Sequence, residues 1–217
     1  MTKSIDHWGN SPPGTRPNWT PTKNHRYFER IAKVIEENDE SSLRDWLDRD
    51  PNSITLQDDF GQTLLWKAVE LQRSGIVRLL IERGSDPNAN ALGQSVLISA
   101  IENNDQELVD LLLEHGANPI APVFHGTAFH MACRSSREIA LLFLLRSVDP
   151  NTRSPVDERA TPLMEAAARG DIEVASLLLG HGADPSLREI YDNRTALEWA
   201  EAEGQTAFVD WFRDQIG

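Results

Sequence analysis

The sequence predicts an all-α solenoid in which helix–loop–helix units stack side by side. Five hydroxyl residues recur at spacings of 32, 32, 34 and 34 residues, and an alanine follows each one five residues later. A proline-containing turn comes between successive hydroxyls. A period of this length indicates repeat units that bury a core only by stacking. The hydroxyl residues are Thr63, Ser95, Thr127, Thr161 and Thr195, and the alanines are Ala68, Ala100, Ala132, Ala166 and Ala200.

Each element of a unit follows from local chemistry. The hydroxyl at the start accepts a free backbone N–H of the first helical turn, which makes it a good N-cap. Pro162 suits the first helical position, and the small alanines let neighbouring helices approach closely. A leucine pair precedes a glycine that ends the second helix in the left-handed conformation. Asp-Pro or Asn-Pro then imposes an extended turn, at 84–87, 116–119, 148–150 and 182–185.

The repeated motif resembles the ankyrin repeat. Residues 161–166 read Thr-Pro-Leu-Met-Glu-Ala, close to the family signature Thr-Pro-Leu-His-x-Ala, and residues 127–132 read Thr-Ala-Phe-His-Met-Ala. The resemblance covers residues from about 26 to 217. It implies a stack with finger-like turns that recognises proteins through its fingers and the exposed faces of its first helices.

The register divides the chain into six units and an N-terminal arm. The units are approximately 26–57, 58–89, 90–121, 122–155, 156–189 and 190–217. The end units depart from the motif, as expected of repeats that cap a stack. Residues 1–25 contain four prolines and few aliphatic residues, which predicts an extended or disordered arm.

Composition excludes several functional classes. The chain carries 34 acidic and 21 basic residues, a net charge of −13, which disfavours nucleic acid and anionic membranes as partners. Its single cysteine, Cys133, has no internal disulfide partner, so we expect a reducing location in the cytoplasm or nucleus. We expect a monomer, no membrane span and no cofactor.

The sequence contains no catalytic motif and no metal-ligand spacing. His115 and His181 precede the helix-ending glycines, where they are predicted to contact the last carbonyls. The resemblance assigns His130 to hydrogen bonds between repeats. Cys133 is predicted to pack between helices. Of the histidines, only His125, at the base of a finger, is a candidate for a functional role.

The fingers carry a predicted row of apolar side chains. Phe60, Leu92 and Phe124 occupy equivalent positions, with Val123 and Tyr191 one position earlier in their own units. Exposed apolar patches tend to mark binding sites, and flanking charges orient partners. These side chains could instead pack on neighbouring fingers or under the arm. The predicted partner-binding residues are Asp59, Phe60, Gln62, Glu70, Leu92, Gln94, Glu102, Val123, Phe124, Arg134, Glu158, Arg169, Tyr191 and Arg194.

The leading hypothesis is a non-catalytic scaffold that binds a protein or peptide on its concave face. A second hypothesis is a small-molecule site or an enzyme of acid–base chemistry (cyclisation, isomerisation or dehydration) in a pocket closed by the arm. A third is an effector or adaptor subunit of an assembly that binds through its convex helices or its capping units. The second hypothesis would use His125, Asp58, Asp59, Glu70, Asp157 and Tyr191 for chemistry, with Trp66, Trp199, Trp8 and Trp19 as pocket walls.

Overall fold

The computed structural model describes residues 22–91, 94–120, 122–123, 126–155 and 160–216. These residues form a stack of six antiparallel helix pairs, one pair in each predicted unit, which confirms the predicted all-α ankyrin-type solenoid. The first helices are α1 Lys23–Glu36, α3 Leu64–Glu70, α5 Val96–Glu102, α7 Ala128–Ser135, α9 Pro162–Arg169 and α11 Ala196–Ala202. The second helices are α2 Glu40–Arg49, α4 Ser74–Glu82, α6 Gln106–Glu114, α8 Arg137–Leu145, α10 Ile172–Gly180 and α12 Thr206–Ile216.

The predicted caps begin the first helices of units two to six. Each of the five recurring hydroxyls accepts a hydrogen bond from the backbone N–H three residues later, as Thr63 does from Trp66 at 3.1 Å. Thr22 caps α1 in the same way. Helix α1 therefore begins at Lys23, and residues 23–25 belong to the first helix and not to the predicted arm.

Short antiparallel pairings lie at the bases of two fingers. Strands β1 Asn90–Ala91 and β2 Gln94–Ser95 pair in the third unit. Strands β3 Pro122–Val123 and β4 Gly126–Thr127 pair in the fourth. These pairings turn the chain so that each finger leads directly into the first helix of its unit.

The core runs along the stack between the two layers of helices. All five recurring alanines are buried, and Ala68, Ala100, Ala132 and Ala200 are completely inaccessible. In the fourth unit, Phe129 stacks on Phe143 with ring centroids 5.7 Å apart. Among the described residues no helix combines the length and apolarity needed to cross a bilayer.

Asparagine side chains join successive turns at two places. Asn88 donates from Nδ2 to the Gly116 carbonyl at 3.0 Å and accepts from the Asn118 N–H at 2.8 Å. Asn151 makes the same two bonds to the turn at 182–184, at 3.2 and 2.7 Å. Each side chain therefore links the turn of one unit to that of the next.

Candidate functional site

The finger of the second unit is closed by Asp58. Its Oδ1 accepts the backbone N–H groups of Phe60 and Gln62, both at 2.8 Å. The Asp58 backbone also pairs with Gln62 across the turn. Phe60 is half-buried. The Asp58 carboxylate, a proposed acid–base group of the enzyme hypothesis, thus holds the finger that carries Phe60.

Asp59 anchors this finger to the first helix. Its carboxylate accepts from the Thr22 hydroxyl at 2.7 Å and from the Thr22 N–H at 3.4 Å. His25 lies on the same side, with its Nδ1 4.0 Å from Asp59 Oδ2. Asp59, a predicted partner contact, therefore already joins the second unit to the N-terminus of α1.

The finger of the last unit is organised around a buried carboxylate, Glu189, which is only 2% exposed. It accepts the N–H of Tyr191 at 2.6 Å and that of Arg194 at 3.1 Å. Burial acts to raise the pKa of Glu189, but the backbone donors of Tyr191, Arg194 and Asp192 and the Arg194 charge outweigh it and lower this pKa below its ordinary value. The buried carboxylate of Glu189 therefore fixes the turn that carries Tyr191.

Two large apolar side chains stand at the tip of this finger. Tyr191 is 72% exposed and the neighbouring Ile190 is 56% exposed. Arg194, a predicted partner contact, pairs with Asp192 at 3.3 Å beside them. The sequence singled out Tyr191 but missed Ile190 and Glu189. Its position in the sequence could have indicated the role of Glu189. Glu189 comes six residues before the helix cap Thr195, much as Asp58 comes five residues before the cap Thr63.

Charges predicted to face a partner also join adjacent first helices. Arg134 on α7 pairs with Glu165 on α9, Nε to Oε2 at 3.4 Å, and Glu165 is 8% exposed. Arg169 donates to the Cys133 carbonyl at 2.8 Å. Arg134 and Arg169 therefore connect the fourth and fifth units.

The acidic residues of the earlier units are more accessible. Glu70 is exposed at the end of α3, where its carboxylate pairs with Lys67 at 3.1 Å. Glu102 is exposed at the end of α5. The most exposed charge on the first helix of each of these two units is therefore an acidic one.

Trp66 and Trp199, two of the four tryptophans predicted as alternative pocket walls, pack in the stack. Trp66 is 9% exposed, and its indole N–H has no hydrogen-bond partner among the described residues. Trp199 is half-buried and packs against the core. Cavities of about 390, 360 and 320 Å³ lie on the described surface, and neither tryptophan lines any of the three.

The histidines and the cysteine have structural positions. His115 and His181 place Nδ1 2.9 Å from the Leu111 and Leu177 carbonyls, as predicted. His130 lies 2.7 Å from the Thr127 hydroxyl and 3.3 Å from the Ala160 carbonyl, where the next repeat begins. Those three assignments are confirmed.

Cys133 is completely buried, as expected for a packing role. Burial raises the pKa of its thiol far above the ordinary value, and the Glu165 carboxylate acts in the same direction. No group of three metal-ligating side chains is found in the part of the chain that the structure describes.

Several predicted positions lie outside the described residues or side chains. They include both tryptophans of the arm and most of the central row of finger residues. These positions are Trp8, Trp19, Leu92, Phe124, His125, Asp157 and Glu158, together with the side chains of Gln94 and Val123.

A family model of ankyrin repeats, in three copies, matches residues 31–122 and 129–216. The chain belongs to the ankyrin repeat family. This confirms the recognition made from the Thr-Pro-Leu-Met-Glu-Ala motif. Domains of this family generally mediate protein–protein interactions. No curated protein matches the chain.

Solved structures share the ankyrin fold at low identity. The ankyrin repeat domain of Bcl-3, described as a unique member of the IkappaB protein family, is 23% identical with a TM-score of 0.78, covering 86% of both chains. The ankyrin repeat protein EF0377 is 23% identical with a TM-score of 0.74, covering 86% of this chain and 97% of its own.

A third similar chain comes from the complex of the predatory endopeptidase Bd0816 of Bdellovibrio bacteriovorus with the immunity protein Bd3460. It is 20% identical with a TM-score of 0.72, and the match covers 85% of this chain and 96% of that one. Identities this low show that the ankyrin fold is shared. They do not identify the binding surface of this chain.

Proposed function

We propose that this ankyrin repeat protein is a non-catalytic scaffold that binds a protein partner along its fingers and the exposed faces of its first helices. The observation that carries the proposal is the exposed Ile190–Tyr191 pair on a finger held by buried Glu189. Tyrosine is enriched among residues that dominate binding energy. A turn already fixed before binding loses less conformational entropy when a partner docks.

The charges around the finger face support a protein partner. Arg194 and Asp192 flank Tyr191, and Glu70 and Glu102 are exposed on first helices farther along the stack. An apolar centre with a charged rim is a common layout of protein interfaces, in which the rim sets orientation and association rate. The exposed side chains at the ends of α3 and α5 are acidic, whereas the last finger carries both an acidic and a basic side chain.

The non-catalytic part of the proposal is supported by what the candidate acid–base groups contact. Asp58 binds two backbone N–H groups and Asp59 binds Thr22. Tyr191 lies on the finger of the sixth unit, four units from these aspartates. General acid–base catalysis needs groups within hydrogen-bond reach of one substrate, and Tyr191 does not meet that condition together with the two aspartates.

The first experiment is affinity capture with the whole chain from a lysate of the source organism, followed by purification of each captured protein. Its affinity is then measured by biolayer interferometry for wild type, Tyr191→Ala, Ile190→Ala and Leu145→Ala. Leu145 is the matched control, because it is 66% exposed but lies at the end of the second helix α8. We expect Tyr191→Ala to weaken binding by about tenfold or more.

The control decides the interpretation. Leu145→Ala should leave the affinity within about twofold of wild type, since exposed residues outside an interface contribute little. Equal affinities for Leu145→Ala and both finger variants would overturn the finger-face proposal. Loss of binding in Leu145→Ala alone would place the partner on the second helices and support the adaptor hypothesis.

A further inference from the structure

The outward face of α1 concentrates positive charge in an acidic protein. Lys23, Arg26, Arg30 and Lys33 follow at spacings of three, four and three residues, which places them on one side of a helix. All four are exposed, while Phe28 and the other core residues of α1 occupy the opposite side. We call these four residues the cationic face of α1.

The cationic face has few carboxylate partners. Lys33 pairs with Glu37 at 3.8 Å, whereas Lys23, Arg26 and Arg30 form no ion pair with any described residue. Most other described arginines hold a carboxylate or a carbonyl, as Arg83 holds Asp48 at 2.7 Å. In a chain with a net charge of −13, unpaired cations on one face stand out.

The spacing of these cations is unfavourable for the helix that carries them. Like charges three or four residues apart on a helix repel one another. Lys23 and Arg26 also lie at the positive end of the helix dipole, and the first turn of α1 contains no acidic residue. Six of the other helices place an acidic residue there, whereas α3, α4, α5, α7 and α12 have none.

One cation of the face is held in position. The Arg30 guanidinium lies 5.2 Å from the Trp46 ring centroid, a cation–π distance. Trp46 donates from Nε1 to the Tyr27 hydroxyl at 3.1 Å, and Tyr27 donates to Asp50 at 2.9 Å. This chain of hydrogen bonds fixes the indole on which Arg30 rests. A guanidinium placed before binding loses less freedom when it meets a carboxylate.

We propose that the cationic face of α1 binds an acidic segment of a protein partner, as a second surface that does not depend on the finger face. From Lys23 to Lys33 the helix advances about 15 Å, the span of about five extended residues. A short acidic stretch of a partner fits that length and can pair with the three cations that hold no carboxylate. The chemistry expected is carboxylate recognition by arginine and lysine.

Charge complementarity favours a short acidic segment over a nucleic acid or a membrane. Helix α2 packs beside α1 and exposes Glu40, Asp45 and Asp48, of which Glu40 pairs with Arg44 and Asp48 with Arg83. A polyanion longer than the cationic face would extend over these carboxylates and over a chain of net charge −13. Such like-charge contact opposes binding, whereas a short segment avoids it.

The test measures fluorescence anisotropy of a labelled peptide of about six glutamates with the whole chain at about 50 mM salt, where screening is weak. The variant Arg26→Gln/Arg30→Gln is compared with Arg49→Gln/Arg137→Gln. Arg49 and Arg137 are also exposed and form no ion pair with a described residue, so both variants lose the same charge. A third variant, Lys23→Gln/Arg26→Gln, keeps Arg30 on Trp46.

We expect wild type and the Arg49/Arg137 variant to bind the peptide equally, and both α1 variants to lose about tenfold in affinity. Absence of peptide binding by wild type, or equal loss in all three variants, would overturn the proposal. Tighter binding of a single-stranded oligothymidylate or of phosphatidylglycerol vesicles would overturn it in favour of those classes. Retained Tyr191-dependent partner binding in the α1 variants would separate this surface from the finger face.

Discussion

Replacement of Glu189 removes the acceptor around which the last finger is built. In wild type its carboxylate is 2% exposed and accepts the N–H groups of Tyr191 and Arg194. Glu189→Ala deletes both hydrogen bonds. Glu189→Gln keeps one carbonyl oxygen but turns an NH₂ group towards backbone donors, so it should retain about one of the two bonds.

The expected loss follows from these contacts. A hydrogen bond to a charged group contributes about 1.5–3 kcal/mol. Because residues 190–194 are exposed, the freed N–H groups of the alanine variant can reach water, which offsets part of the loss. We therefore expect a decrease of about 2–3 kcal/mol in the free energy of unfolding for Glu189→Ala and about 1–2 kcal/mol for Glu189→Gln.

The contribution of Glu189 should also depend on pH. Because its pKa in the fold lies below the ordinary 4.5, the unfolded chain takes up the proton first as pH falls. The stabilisation is fully present above that ordinary value and is lost as pH falls through the lowered pKa. Stability curves of wild type and Glu189→Gln should therefore converge in acid.

The assay is urea unfolding followed by circular dichroism, with amide hydrogen exchange of Tyr191 and Arg194 as a local readout, because repeat stacks can open one unit at a time. Glu203→Ala is the control, since Glu203 is an exposed carboxylate at the end of α11, the helix into which this finger leads. A Glu189→Ala protein as stable as Glu203→Ala, with unchanged exchange at both amides, would refute the role assigned to Glu189.

Other predictions concern the core. Ser85→Ala should raise the free energy of unfolding by about 1 kcal/mol. The buried hydroxyl of Ser85 has no hydrogen-bond partner in the described structure, and the equivalent residues of two other units are Ala117 and Ala183. Destabilisation of this variant in urea unfolding would contradict the prediction. His130→Ala should lower the free energy of unfolding by about 2–4 kcal/mol in the same assay. A decrease below about 0.5 kcal/mol would be inconsistent with the inter-repeat hydrogen bond of His130. Cys133 should react with Ellman's reagent at pH 8 only after unfolding, because burial raises its pKa; rapid reaction of the native protein would contradict its burial.

The fold was predictable because its signals are local. Thr63 and its four equivalents cap helices by bonding to backbone only three residues away, so spacing along the chain is enough to locate each helix start. Recurring alanines and prolines then set the unit length. The core follows, since stacking alone can bury one-sided units.

The site was less predictable because its contacts are distant in sequence. Asp59 meets Thr22 across 37 residues, and Arg134 meets Glu165 in the next unit. A glutamate in a polar loop, such as Glu189, ordinarily indicates a solvated side chain. Its burial depends on how the finger closes over it. The spacing of cations on α1 was visible in the sequence, but their lack of ion pairs required coordinates.

The asparagine bridges make the stiffness of the stack uneven. Asn88 braces the turns of units two and three, and Asn151 braces those of units four and five. At the equivalent position between units three and four stands Ile120, 49% exposed and without a polar side-chain atom to make such a bridge. That joint is linked instead by Arg146, which contacts Asp110, and by the Phe129 N–H, which donates to the Pro119 carbonyl. We therefore expect this joint to bend more easily than the two joints that an asparagine braces.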